Sequence, residues 1–403
     1  MKILVVTQYF WPENFKINDL CEGLIERGHE VTVYTGLPNY PEGEFFKGYS
    51  FKGPYREMHG KIKIIRSPLL PRGKNKSFRL ALNYVSFFFL ASLLAPFLVR
   101  GKFDKIFVYE PSPITVVIPA IILKYLKRIP LFFWVTDLWP ESLEATGVIK
   151  NKKILNLVGL GVRYLYKHCD KILVTSKGFI PRVKNLGGLD SQIVYFPQWA
   201  EELYKKIPDQ NFIDPLIPKT GFKIMFAGNI GSSQDFETIL KAAKILKSHD
   251  NIVFLILGDG LMKKWSEQEV KRLGLESTFI FLGRKPVELM PEYFSQADVM
   301  LMSLTNTDLF SITVPSKLQS YLASKKPILA SMNGEGAQIV VDSLAGLACP
   351  AGNPELLSQT ILKMSELSLD ELKAMGENAL HCYQTQFERE KLISLLEDEF
   401  QKV

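Results

Sequence analysis

The pattern that most limits what this 403-residue chain can become occurs twice: an apolar strand, a loop of small or polar residues, and a helix opening out of that loop. In the first half, residues 2–7 run into a loop at 8–14, and a helix ending at Arg27-Gly28-His29 leads to a strand at 30–35. At residue 222 the scheme restarts. A strand at 222–227 meets Gly228-Asn229-Ile230-Gly231, and a helix through Ala243 leads to a strand at 252–257 and Gly258-Asp259-Gly260. Strand, glycine loop and helix N-terminus together aim backbone amides at an anion, so each half is a candidate platform for a phosphate or nucleotide. Two platforms in one chain suggest group transfer.

Further strands are expected at 62–66, 105–109, 131–136, 171–175 and 192–196, then at 278–282, 298–302, 327–331 and 346–348, with helical segments between many of them. Such alternation predicts parallel sheets covered on both faces. Periodicity breaks around 197–220, where Pro197, Pro208, Pro215 and Pro218 mark a linker. The length suits two α/β domains of about 200 residues each. The expected division is 1–200, 201–385 and a C-terminal helix in 386–403 that is free to pack on either domain.

Charge separates the halves. Residues 1–200 hold 28 Lys and Arg against 15 Asp and Glu, giving +13; residues 201–403 hold 21 against 27, giving −6. The basic half either meets an anionic partner, such as a membrane surface, a lipid phosphate or nucleic acid, or is a solvated lysine-rich face. Nucleic acid fits least, because no dense basic stripe interleaved with aromatics is present. Cys21, Cys169, Cys349 and Cys382 are scattered, so neither a zinc site nor a disulfide framework is expected. The first residues read as a short strand, with Glu13 soon after, and not as a leader.

Twenty residues without a charge, 80–99, are long enough to span a bilayer. Basic residues flank both ends (Arg72, Lys74, Lys76 and Arg79; Arg100, Lys102 and Lys105), which removes the bias that orients a span. A span would also divide one sheet between two sides of a membrane. The segment is therefore expected to be a buried or interfacial helix pair kinked near Pro96.

Several motifs carry candidate chemistry. The loop at Gly228, Asn229 and Gly231 lacks the third glycine and ribose acid of a dinucleotide fingerprint, yet suits a diphosphate contact. In Thr313-Val314-Pro315-Ser316-Lys317, Pro315 fits a first helical turn and places Ser316 and Lys317 beside free amides, where Lys317 either neutralises a diphosphate or merely caps a surface. The stretch 133–142 sets Asp137 and Glu141 just past an apolar strand. These carboxylates either orient an acceptor hydroxyl or bond local backbone at a helix start. Glu13 and Asn14 follow the first strand at the same sheet edge, and Trp139 offers a ring to a sugar or to the core.

Together these residues resemble a retaining glycosyltransferase of family 4, of the GT-B type in which two Rossmann-like domains face an interdomain cleft. The likeness rests on QYFWPEN at 8–14, GHEVTVYTGLPNYPEG at 28–43, DLWPES at 137–142, AGNIG at 227–231, GDG at 258–260, FLGR at 281–284 and VPSKLQSYLA at 314–323. It extends to the bacterial O-antigen and capsule L-fucosaminyltransferases. The resemblance implies a UDP-sugar donor held by the second domain, with Arg284 at the base and Lys317 at the diphosphate. The donor set is Gly228, Asn229, Gly231, Gln234, Arg284, Thr313, Ser316, Lys317 and Ser320; the catalytic set is Asp137, Glu141 and Lys317; the acceptor set is Glu13, Asn14 and Trp139. It implies no metal and no cofactor beyond the nucleotide sugar. It further implies an undecaprenyl-diphosphate-linked acceptor glycan and a place on the cytoplasmic, inner face of a bacterial plasma membrane, in O-antigen or capsule synthesis with N-acetyl-L-fucosamine or a related sugar. The chain departs from the family at Asn229 and Gln234, which replace an Arg and a Lys, and at Ile312 and Ser320, where a glutamate pair is usual; Thr136 replaces a histidine. Those losses leave a UDP-sugar epimerase or a non-catalytic membrane-recruited scaffold as rival expectations.

Overall fold

The computed structural model describes residues 1–73, 77–145, 147–209 and 211–403, so Lys74 and Lys76 of the basic flank lie outside it. The chain divides into two units, 1–197 with 390–403, and 198–389.

Unit 1 carries β1 (Lys2–Val6), β2 (Glu30–Gly36), β3 (Arg56–His59), β4 (Ile62–Ser67), β5 (Lys105–Glu110), β6 (Leu131–Val135), β7 (Lys171–Val174) and β8 (Ile193–Tyr195). Their order is β3-β4-β2-β1-β5-β6-β7-β8. Every pairing is parallel except β3 with β4, a short polar hairpin arm with no apolar run for sequence reading to find. The helices are α1 (Lys16–Glu26), α2 (Ser77–Leu98), α3 (Val117–Lys127), α4 (Glu141–Ala145), α5 (Lys152–Lys167) and α6 (Phe179–Asn185). From β1 the chain steps to β2 and β4 on one side; from β5 it steps to β6, β7 and β8 on the other. The strand order thus reverses between β1 and β5, and ligands of open α/β sheets bind at such a reversal, beyond the C-terminal strand ends.

Residues 80–99 correct one expectation. Residues 80–98 form part of a single helix, α2, with Pro96 in its last turn, and not a pair of helices; Val99 follows the helix. Asn83, Phe87, Ala91 and Ala95 are buried at four-residue spacing, one stripe packed on the protein. Asn83 accepts from Gln8 Nε2 at 2.7 Å and donates to the Leu70 carbonyl at 2.6 Å, tying α2 to the end of β1. The helix is long and apolar enough to cross a membrane, yet its inner stripe is committed to the sheet.

Unit 2 carries β9 (Phe222–Ala227), β10 (Ile252–Leu257), β11 (Phe279–Gly283), β12 (Val299–Ser303), β13 (Ile328–Ser331) and β14 (Gly346–Cys349), in the parallel order β11-β10-β9-β12-β13-β14. Its helices are α7 (Phe236–Ile245), α8 (Lys263–Leu273), α9 (Met290–Ser295), α10 (Asp308–Ser311), α11 (Ser316–Ala323), α12 (Glu335–Asp342), α13 (Pro354–Ser365) and α14 (Leu369–Cys382). Successive strand residues alternate between two apolar layers: Met225, Leu255 and Met300 pack with Leu318 and Tyr321, whereas Ile224, Phe254 and Leu301 pack with Ile239 and Leu240. Here the order reverses between β9 and β12.

The last helix, α15 (Arg389–Gln401), returns to unit 1. Its Ile393, Leu396 and Phe400 are fully buried, and the Phe400 ring meets Phe132 at 4.8 Å and Phe107 at 6.4 Å. Arg27 clamps the same helix through Glu397 at 2.6 Å and Glu390 at 2.8 Å. All four cysteines are free and buried.

Candidate functional site

In unit 2 the donor candidates gather at the reversal point. The amide of Gly228 donates to the Leu257 carbonyl at 2.9 Å and that of Ile230 to the Asp259 carbonyl at 2.8 Å, so the two glycine loops are laced together. Their contact requires glycine: a Cβ on Gly258 would stand 1.9 Å from the Gly228 carbonyl oxygen. Asn229 is wedged in this seam, its Oδ1 2.6 Å from where a Cβ on Gly260 would lie. Tyr321 fixes α11 against the same loop, its hydroxyl accepting from the Ala227 amide at 2.9 Å and facing the Ala227 carbonyl at 3.1 Å.

That clamp presents the start of α11 to the loop after β9. Pro315 is the residue before the helix, with extended backbone, and not a member of its first turn; Ser316 opens the helix, exposed. Lys317 Nζ bonds Gln234 Oε1, lies 4.0 Å from the centre of the Phe226 ring, and would be 3.5 Å from a Cβ on Gly228. Among the described residues no carboxylate pairs with it. Burial pulls its pKa down to about 7, because the desolvated ammonium gains only a neutral amide and a ring face in return. Gly228, Asn229, Gly231, Gln234, Ser316 and Lys317 are thus brought to one loop cluster.

The other donor candidates are differently placed. Thr313 spends its hydroxyl on the Leu309 carbonyl at 2.7 Å. Ser320, one turn further along α11, meets the Tyr204 hydroxyl. Arg284 is exposed beyond β11, two strands from β9, in the loop after Gly283.

In unit 1 the reversal point is marked by backbone strain. Ser112, between two prolines after β5, sits at φ 77°, a left-handed conformation that a non-glycine residue adopts at a cost of order 1–3 kcal/mol. Its hydroxyl donates to Asp137 Oδ2 at 2.8 Å. Burial raises the pKa of Asp137, and the Ser112 hydrogen bond opposes that rise. Glu110, the last residue of β5, is fully buried; the Asp137 and Ser112 amides and the Trp139 indole lie near its carboxyl, yet none completes a hydrogen bond. Burial, with Asp137 beside it, pushes Glu110 well above the usual carboxylate range. Arg72 joins this edge, its Nη1 donating to the Tyr9 hydroxyl at 3.1 Å and its guanidinium lying 4.9 Å from the Tyr40 ring centre. Tyr84 of α2 senses Arg72, Asp137 and Glu110 together.

One acceptor candidate is already engaged by the protein. Glu13 is no free contact: its Oε1 accepts from the Asn39 and Tyr40 amides, each at 2.8 Å, and its Oε2 from the Phe10 amide at 3.2 Å. A carboxylate holding three amides is a loop brace, and burial lifts its pKa to about 7 despite them. Asn14 is exposed beside it. Glu141 opens α4, with a buried, unpaired Oε2, and Trp139 is half-buried with an unpaired indole N–H. Sequence reading missed Tyr9, Arg72, Tyr84, Glu110 and Ser112. Glu110 was findable, as a lone acid ending the apolar strand KIFVYE; Arg72 and Tyr84 carried no local signal.

Comparison with known proteins adds an independent line. Residues 15–199 match the glycosyl transferase 4-like domain model and residues 209–381 the glycosyl transferases group 1 model. Among curated relatives, the chain is similar to "Probable glycosyltransferase WbjE" of Pseudomonas aeruginosa, 27% identical over 78% of this chain and 77% of that one. It is also similar to the "Putative colanic acid biosynthesis glycosyl transferase WcaI" of Escherichia coli, 24% identical over 80% and 81%. Among solved structures, Anabaena Alr3699/HepE in complex with UDP superposes over the whole of both chains with a TM-score of 0.70 at 14% identity.

Proposed function

Because both halves of this chain belong to glycosyltransferase domain families and together carry the GT-B fold, we propose that it transfers a sugar from a UDP-linked donor to a hydroxyl of a lipid-diphosphate-linked glycan in bacterial surface polysaccharide synthesis. The observation that carries the reading is Lys317, a buried amine with no carboxylate partner among the described residues, at the start of α11 against the Gly228 loop. Unit 2 holds the nucleotide diphosphate there. As the bond between the anomeric carbon and the diphosphate oxygen breaks, negative charge grows on that oxygen, and Lys317 with the α11 amides stabilises it. The acceptor oxygen attacks from the same face, so configuration is retained, and its proton passes to the departing diphosphate. Asp137, steadied by Ser112, is the group this reading assigns to orienting the acceptor hydroxyl. The name of WcaI supports a polysaccharide product, and the HepE complex supports UDP. N-acetyl-L-fucosamine or a related N-acetylated sugar is the donor sugar this reading favours. Because Lys317 and the helix supply the positive charge, the reaction proceeds without a metal.

The protein works in this reading from the inner face of the plasma membrane. Phe78, Leu82, Val85, Phe89, Leu93 and Phe97 form one exposed apolar stripe on α2, opposite its packed face. Arg79 stands near one end of that stripe, and Arg100 and Lys102 at the other, suiting anionic headgroups around a helix lying in the interface. The test is a thermal-shift screen of nucleotide sugars followed by transfer to a lipid-linked acceptor, since a ligand bound only by the native state raises its melting temperature. UDP and a UDP-sugar should stabilise the protein and GDP should not. Absence of any nucleotide effect would favour the scaffold reading, and an isomerised sugar formed with no acceptor would favour the epimerase.

A further inference from the structure

Unit 1 also contains a cavity of about 400 Å³ between α4, α5 and α6. Its volume lies in the range of sites that enclose small ligands. One wall is apolar, from Leu155, Leu160 and Leu186; Arg163 and Arg182 line the cavity too, and Glu141 with Pro140 reaches it from the DLWPES segment. Among the described residues neither guanidinium is paired with a carboxylate; Arg163 makes only a long contact, 3.4 Å, to the Asn185 carbonyl.

The space exists because α5 has a glycine in its interior. Glycine there costs about 1 kcal/mol of helix stability relative to alanine. At Gly159 a Cβ would stand 3.8 Å from Leu186 Cδ2 and 4.0 Å from Pro140 Cγ, so any longer side chain would grow into the cavity. Leu160, one residue on and also lining the cavity, is 62% exposed, an apolar approach to a basic site. Glu141 Oε2 is buried without a partner, an acceptor suited to a hydroxyl and hostile to an anion.

We propose that this cavity binds the diphosphate and first isoprene units of the acceptor lipid, with Arg163 and Arg182 on the diphosphate, the leucines on the chain, and Glu141 toward the hydroxyl-bearing sugar. Two guanidiniums match the oxygens of a diphosphate through forked hydrogen bonds, which a single lysine-rich surface does not offer. The site rests on the transferase reading for its biological ligand, and it offers a partner to the buried Glu141 Oε2.

Farnesyl diphosphate is a soluble probe for this chemistry. Calorimetry on the full chain should show it binding, with farnesol and inorganic pyrophosphate each at least tenfold weaker. R163Q/R182Q and, separately, G159L should weaken farnesyl diphosphate at least tenfold while UDP affinity stays at the wild-type value and the melting temperature does not fall. Wild-type binding in both variants would overturn the assignment. So would pyrophosphate binding as tightly as farnesyl diphosphate, which would make this a plain anion site, or equal competition by short-chain phosphatidylglycerol, which would make it a headgroup site. Binding of farnesyl diphosphate through these residues by a protein that takes no uridine nucleotide would keep the cavity and remove the transfer reaction.

Discussion

Replacing Lys317 with methionine removes the charge while keeping an apolar stem over the Phe226 ring, where Nζ now lies 4.0 Å from the ring centre. An ammonium about 4 Å from a developing negative oxygen, at an effective dielectric of about 20, is worth about 4 kcal/mol. Loss of one positioned donor of this kind lowers kcat by roughly 10²–10³-fold, and that is the expected effect of K317M at saturating donor. Folding should not suffer, because the lost amine was desolvated and, among the described residues, had only Gln234 as a side-chain hydrogen-bond partner. A second signature comes from its pKa near 7. At pH 8 about nine-tenths of Lys317 is neutral by simple titration, so binding UDP should draw up close to one proton, measurable by calorimetry in buffers of different ionisation enthalpy. The stability sign follows from the same shift. The folded pKa lies below that of an unfolded lysine, so the unfolded state holds more protons between about pH 7 and pH 10.4 and wild-type stability rises with pH across that window; K317M lacks this rise. A kcat within threefold of wild type, or identical proton uptake in both proteins, would refute the role.

Asp137→Asn should keep the fold and lower kcat about 10²-fold, the usual scale for one acid–base group; because burial raises the Asp137 pKa, wild-type activity should fall as pH drops through it, and that acid limb should vanish in the variant. A metal chelator should leave turnover unchanged, and restoration of lost activity by magnesium or manganese would count against a lysine-based stabilisation of the diphosphate. Phe89→Glu with Phe97→Glu, both exposed on α2, should lower binding to phosphatidylglycerol vesicles at least tenfold in cosedimentation without changing UDP affinity; unchanged binding would take α2 out of the membrane contact.

Strands buried on both faces were legible because each is a short run of β-branched and aromatic residues between glycine and polar breaks, as in Phe222–Ala227 and Ile252–Leu257. The arm Arg56–His59 was not, since its pairing depends on β4 beside it and three of its four residues are polar. The apolar run 80–99 was legible as helix but not as one continuous helix, because proline in a last turn disturbs little backbone pairing. Glu13 illustrates the opposite limit: its position after β1 suggested chemistry, and three amides from residues up to 27 positions away made it a brace.

By itself the sequence determined the two sheets, the glycine loops and the motif at Lys317, because period, turn chemistry and helix starts are properties of neighbours along the chain. Only tertiary structure decided that Arg72, Tyr84, Glu110, Ser112 and Asp137 share one edge, that α15 serves unit 1, and that Gly159 opens a cavity beside two arginines. Those facts depend on strand order and on which surfaces exclude water, and both are set when distant segments pack.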